Sequence, residues 1–180
     1  MPICRKRLIL VLGILVATVG NSRAQSAPDL RQIRWGYSKK QVREAEEKKP
    51  TSTRSDKLIY AQVPIGSRMV GLEYEFNGDS LLSASYYYYV NASITQSDVV
   101  AAAAEFDALL TEKYGPGKTA KVGEIKQTLW MTPRTRISLA LGNVDKGWSV
   151  ELVYLCRVCS GDVQAMPKEE FKPRKEIKDF

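Results

Sequence analysis

The chain has 180 residues, with 27 Lys+Arg against 20 Asp+Glu for a net charge of +7, and it contains no histidine. The missing imidazole excludes Ser-His-Asp and Cys-His nucleophilic catalysis as usually built, together with His-based zinc and non-haem iron sites. Three cysteines, one of them at position 4, are too few for a four-thiolate zinc site.

Arg5, Lys6 and Arg7 precede an uncharged run, Leu8 to Gly20, and small residues stand at Ser22 and Ala24. A positive start, a short apolar core and a small-x-small site predict a secretory signal peptide over 1–24, cleaved after Ala24. The apolar run is shorter than the roughly 20 residues that span a bilayer. No cysteine follows it to carry a lipid, so no stable membrane anchor is expected after cleavage. The leader holds four of the 27 bases and none of the 20 acids, which leaves 23 against 20 in the mature chain, a net +3. Such a mixed surface makes no case for nucleic acid. The expected setting is exported, periplasmic or secreted.

A linker is expected over 25–32, then a single α+β domain of two similar halves over 33–160. In "WGYSKKQVREAEEKKP", Ser38 with Gln41 three residues on forms a capping box, and Val42 and Ala45 supply an apolar stripe. A helix is predicted from about Lys39 to Lys48, bounded by Pro50. The period then changes to two. Strands are predicted at 57–63, 67–76 and 80–90, the last two joined through Asn77-Gly78. A second helix follows Thr95 or Ser97, with Val99, Ala103, Phe106 and Leu110 at helical spacing. Gly115 and Pro116 end it. Three more strands are predicted at 124–131, 135–142 and 148–156. Short turns make consecutive strands antiparallel. The expected fold is α+β, two helices packed on one face of an antiparallel sheet, in the order α-βββ-α-βββ.

The run "WGYSKKQV", with Gly36, Ser38 and Val42, followed by a meander containing "YEFNGDSLLSASY", resembles small exported bacterial helix-plus-meander domains. It is similar to the outer-membrane assembly lipoprotein family of the SmpA/OmlA type. The doubled arrangement resembles the tandem fold of the secreted β-lactamase inhibitor proteins. The resemblance implies binding and scaffolding, and it transfers no catalytic residue.

Two features carry the functional reading. "YYYY" at 86–89 puts two tyrosines on each face of a strand. Tyr86 and Tyr88 are expected under the helices. Tyr87 and Tyr89 are expected on the open face, where Trp130 or Trp148 would join them in a candidate binding surface. The second feature is "CRVC". Cys156 and Cys159 follow a strand and precede a turn, and an oxidising compartment favours a disulfide. The alternative is a thiol-disulfide redox protein acting through that CxxC pair. No P-loop or GxGxxG occurs, and no metal or cofactor is implied. Carboxylates abound, but sequence does not pair them into an acid and a base. The tail at 161–180 mixes signs and has little apolar content, as a flexible charged segment does. These features point to a non-enzymatic binding or structural module of the envelope or periplasm, with another protein or an envelope component as partner.

Overall fold

The structure, a computed structural model, describes residues 27–144 and 147–159. The expected leader and tail lie outside them. In chain order the elements are α1 (Lys39–Ala45), β1 (Ser52–Thr53), β2 (Lys57–Ile65), β3 (Arg68–Asn77), β4 (Ser80–Tyr89), α2 (Gln96–Tyr114), β5 (Lys118–Val122), β6 (Ile125–Met131), β7 (Thr135–Val144) and β8 (Gly147–Cys156). The order α-βββ-α-βββ is thereby corrected to four strands in each half. β1 has two residues, and every residue of β5 is exposed. Neither strand carries the alternation of apolar and polar residues that marks a half-buried strand.

One sheet of eight strands runs in the order β1-β2-β3-β4-β8-β7-β6-β5, with every neighbouring pair antiparallel. Each half is a meander, and the last strand of each, β4 and β8, meet at the centre. Their register runs from Ser83–Leu155 to Tyr89–Ser149.

Local chemistry sets both helices. Ser38 accepts from the Gln41 N–H while the Gln41 side chain accepts from the Ser38 N–H, and Thr95 and Asp98 repeat this reciprocal bonding at α2. These pairs satisfy N–H groups that the first turn leaves without partners. α1 stops after Ala45 because Glu46 turns extended, earlier than the Lys48 expected from Pro50. The side chain of Glu46 folds inward instead. It meets Arg31 (Nε to Oε1, 3.2 Å) and accepts a hydrogen bond from the Tyr74 hydroxyl.

Register also assigns the faces. Leu72, Tyr86 and Leu152 share one row across β3, β4 and β8, and each is almost wholly buried. Tyr74, Ala84 and Tyr154 form the next row, equally buried. α2 lies against β4, β7 and β8, where Val99, Ala102, Ala103, Phe106 and Leu110 are buried. In β2 a bulge around Gln62, whose φ is 59°, places both Tyr60 and Val63 in the core with two exposed residues between them.

The expected linker at 25–32 is partly built into the domain. Leu30 and Ile33 bridge each other and are buried with Trp35. Asp29 takes a two-pronged hydrogen bond from Arg134 (2.6 and 3.1 Å), and Trp35 Nε1 donates to Thr135 Oγ1 at 2.8 Å. A hook N-terminal to α1 thus anchors onto the second half. Its contacts span about 100 residues of sequence, which local periodicity does not register.

Candidate binding face

The alternate residues of the same strands form the opposite face, which no described element covers. On β3 these are Gly71, Glu73 and Glu75, and on β4 they are Ser83, Ser85, Tyr87 and Tyr89. Gly71 and Tyr87 are register partners, and the Tyr87 ring lies across the glycine. A Cβ at position 71 would stand 2.1 Å from Cε2 of that ring. Tyr89 stacks beside Tyr87, centroids 6.3 Å apart and planes 19° from parallel. Burial first, then the nearby Glu73 carboxylate and Tyr89, raises the pKa of the Tyr87 hydroxyl, so the hydroxyl stays protonated at neutral pH. Tyr87 and Tyr89 together form an aromatic ridge laid along the sheet.

Beside the ridge the face becomes a trough of about 200 Å³ over β8, β7 and β6. Ser138 and Ala140 of β7 floor it, Glu151, Val153 and Leu155 of β8 line one side, Gln127 of β6 lines the other, and Arg136 stands on β7 at one end. Gln127 Nε2 donates to Ser138 Oγ at 2.7 Å, which fixes that wall. The small residues come from "TRISLALG", where Arg136, Ser138 and Ala140 alternate with the buried Ile137 and Leu139. The parity was legible in the sequence. The trough was not, because it exists only once β7 is set between β8 and β6.

The expected grouping of four aromatics is corrected. Tyr87 and Tyr89 come together on the open face. Trp130 lies on the other face, paired with Ile137 and 4% exposed, and its Nε1 donates to the Gly115 carbonyl at 2.9 Å. Trp148 pairs with Asn143, also on the α2 side, and packs half-buried against the core. Tyr86 is buried as expected. The Tyr88 hydroxyl meets Arg68.

Cys156 and Cys159 form a disulfide, with Cα atoms 5.7 Å apart. Cys156 ends β8 and is 6% exposed, while Cys159 packs against the core with its Sγ 3.7 Å from the Leu81 carbonyl oxygen. Residues 157–159 form a bend, and no described helix begins at the pair to stabilise a thiolate.

The buried polar cluster on the α1 side serves the fold. Glu46 is 9% exposed and occupied by Arg31 and Tyr74. Burial and then the Glu46 charge push the Tyr60 pKa up to about 12. The Tyr86 hydroxyl is pushed up further by burial, with Arg31 acting in the opposite direction. A second depression of about 230 Å³ lies between α2 and β6–β7 and holds Asp107 and Lys126. Each of the two depressions contains one carboxylate, Asp107 or Glu151, so neither lining holds a pair of carboxylates. No cluster of three or more potential metal ligands occurs among the described residues, and no described helix is long and apolar enough to cross a membrane. Comparison with protein-family models, curated proteins and solved structures returns no match.

Proposed function

We propose that this chain is an exported, non-enzymatic binding or structural module of the envelope or periplasm, and that its helix-free sheet face takes a protein partner. The observation that carries this reading is the Tyr87–Tyr89 ridge beside a trough, on a face exposing Tyr89, Leu155 and Met131. Exposed apolar patches of this kind mark interaction sites. The sheet edges favour the face over strand addition. β5 carries Lys118 and Lys121 along its edge, while at the other edge β1 has two residues and the stretch of β2 beyond it is broken by the Gln62 bulge and by Pro64, which lacks an N–H. Export rests on the leader at 1–24, and the resemblance of "WGYSKKQV" and its meander to exported scaffolding domains points the same way.

The test places a photocrosslinking amino acid at position 89, and a control at Ala101 on the exposed side of α2, in a secreting host. A discrete adduct from 89 and none from 101 supports the face. Equal labelling or none from both rejects it. The mass of the exported chain, with 1–24 removed or retained, decides the export step.

A further inference from the structure

We infer that the partner of this face is a second copy of the same chain, docked sheet to sheet about a two-fold axis running along the β4–β8 junction. The inference rests on the docking-face reading above and names its occupant.

The register supplies the argument. Across the central strands the open face is ruled into rows. One row reads Glu75 (β3), Ser83 (β4), Leu155 (β8) and Arg136 (β7). Another reads Gly71, Tyr87, Glu151 and Ala140 in the same strand order. A two-fold axis parallel to the strands at the β4–β8 junction leaves each row in place and exchanges β4 with β8 and β3 with β7. Glu75 of one copy then faces Arg136 of the other, and the symmetry makes this contact twice. The Tyr87 ring, laid over Gly71 on β3, faces Ala140 on β7, which floors the trough. Ridge enters trough and acid meets base on one self-complementary patch, as an isologous interface requires.

Size and spacing agree. Strands of this length run roughly 30 Å, and β2 to β6, the strands that the axis sets opposite one another, span roughly 25 Å at the usual strand spacing. The product is close to the roughly 800 Å² per partner of a stable protein interface. Packed sheets stand about 10 Å apart, and the Tyr87 and Tyr89 rings, lying along the sheet, occupy part of that gap. The angle of about 30° between aligned sheets displaces facing positions on β3 and β7 by about 4 Å, within the reach of Glu and Arg side chains. Arg136 is exposed, and Glu75 is exposed, accepts from Ser83 Oγ at 3.1 Å and lies near the Lys57 ammonium, its neighbour across β2.

The test is sedimentation equilibrium of the mature chain and four variants, each checked for folding by thermal melting. The wild type is expected to be a dimer. Glu75→Arg and Arg136→Glu are each expected to weaken association about tenfold or more, because each sets like charges opposite one another twice. The double variant is expected to recover most of the loss. Ala140→Arg fills the trough and is expected to give a monomer. A wild type still monomeric at about 100 µM, above the micromolar weak end for interfaces of this size, overturns the inference. So does a double variant no better than the singles. The crosslink at position 89 separates the two readings: an adduct of twice the chain mass supports both. An adduct with a different protein keeps the docking face but overturns the second copy, and no adduct removes both.

Discussion

The Tyr87 ring rests on Gly71, so that a methyl group in place of the glycine hydrogen would stand 2.1 Å from the ring. Alanine at position 71 must therefore displace the tyrosine. Overpacking of this kind costs about 1–3 kcal/mol, offset in part by about 0.5–1 kcal/mol from removing a flexible residue from a strand. Gly71→Ala is expected to lower stability in urea unfolding and to change the near-ultraviolet tyrosine dichroism. Combined with Tyr87→Ala, the same substitution is expected to cost nothing further. Equal penalties in both backgrounds would mean that the ring does not lie on the glycine.

Glu105 joins α2 to the β2–β3 turn. Its carboxylate accepts from the Ser67 N–H at 2.6 Å and Oγ at 2.9 Å, and from Arg68 Nε at 3.3 Å. A Cβ at Gly66, where φ is +54°, would stand 2.3 Å from Glu105 Oε1, so glycine serves both the turn and this approach. Burial disfavours the charge, but the Ser67 bonds and Arg68 outweigh it and hold the pKa below the usual 4.5. A lowered folded pKa contributes stability above the unfolded value, and that contribution is lost as pH falls through the folded one. Asp98, held below 3.8 by the Thr95 hydroxyl and N–H, acts in the same direction. The melting temperature is expected to fall as pH drops below about 4.5, the ordinary value for Glu105. Glu105→Gln is expected to be less stable than wild type at neutral pH, with the difference shrinking in acid. A difference independent of pH would assign the contact to packing.

How much of this was legible in the sequence depends on the range of the interaction. Capping at Ser38 and Thr95 and period-two alternation at 57–63 or 135–142 are local, and six strands and both helices stand close to their expected places. β5 was missed because "KTAKV" buries nothing, and its place comes from pairing with β6. The aromatic grouping failed for a related reason. Parity places Tyr87 and Tyr89 together within β4, but only register across β8 and β7 reveals that Trp130 faces the other way. The rows that align Glu75 with Arg136 have the same origin. Residues 29–32 of the hook read as linker because the partner of Asp29, Arg134, lies a hundred residues away.

Buried charge gives a sharper stability prediction. The Glu46 side chain is 5% exposed and that of Arg31 22%. Removing one member leaves the other with little water and no counter-ion, a loss of about 3 kcal/mol or more. Glu46→Ala is expected to cost that much in urea unfolding. Tyr74→Phe deletes only one hydroxyl to the carboxylate and is expected to cost about 1–2 kcal/mol. If the two substitutions cost the same, the Arg31 pairing contributes nothing measurable.

The disulfide separates the binding reading from a redox one. Cys156 and Cys159 close a very short loop, for which chain entropy supplies about 2 kcal/mol. Replacing both with alanine is therefore expected to lower stability by about that amount while leaving the fold and the open face intact. The described surroundings of the pair are those of a bond tied into the fold. Cys156 lies in the sheet at 6% exposure, Cys159 packs against the core, and no described helix N-terminus lowers a thiol pKa there. Attack by an external thiolate must reach the buried Cys156 sulfur or the partly buried Cys159 sulfur. In a glutathione titration the bond is expected to stay oxidised to below about −300 mV, as structural disulfides do. Reduction near about −200 mV would mark a labile bond. If the double alanine variant then also lost the crosslink from position 89, the function would belong to the cysteine pair at the end of β8 and not to the tyrosine ridge.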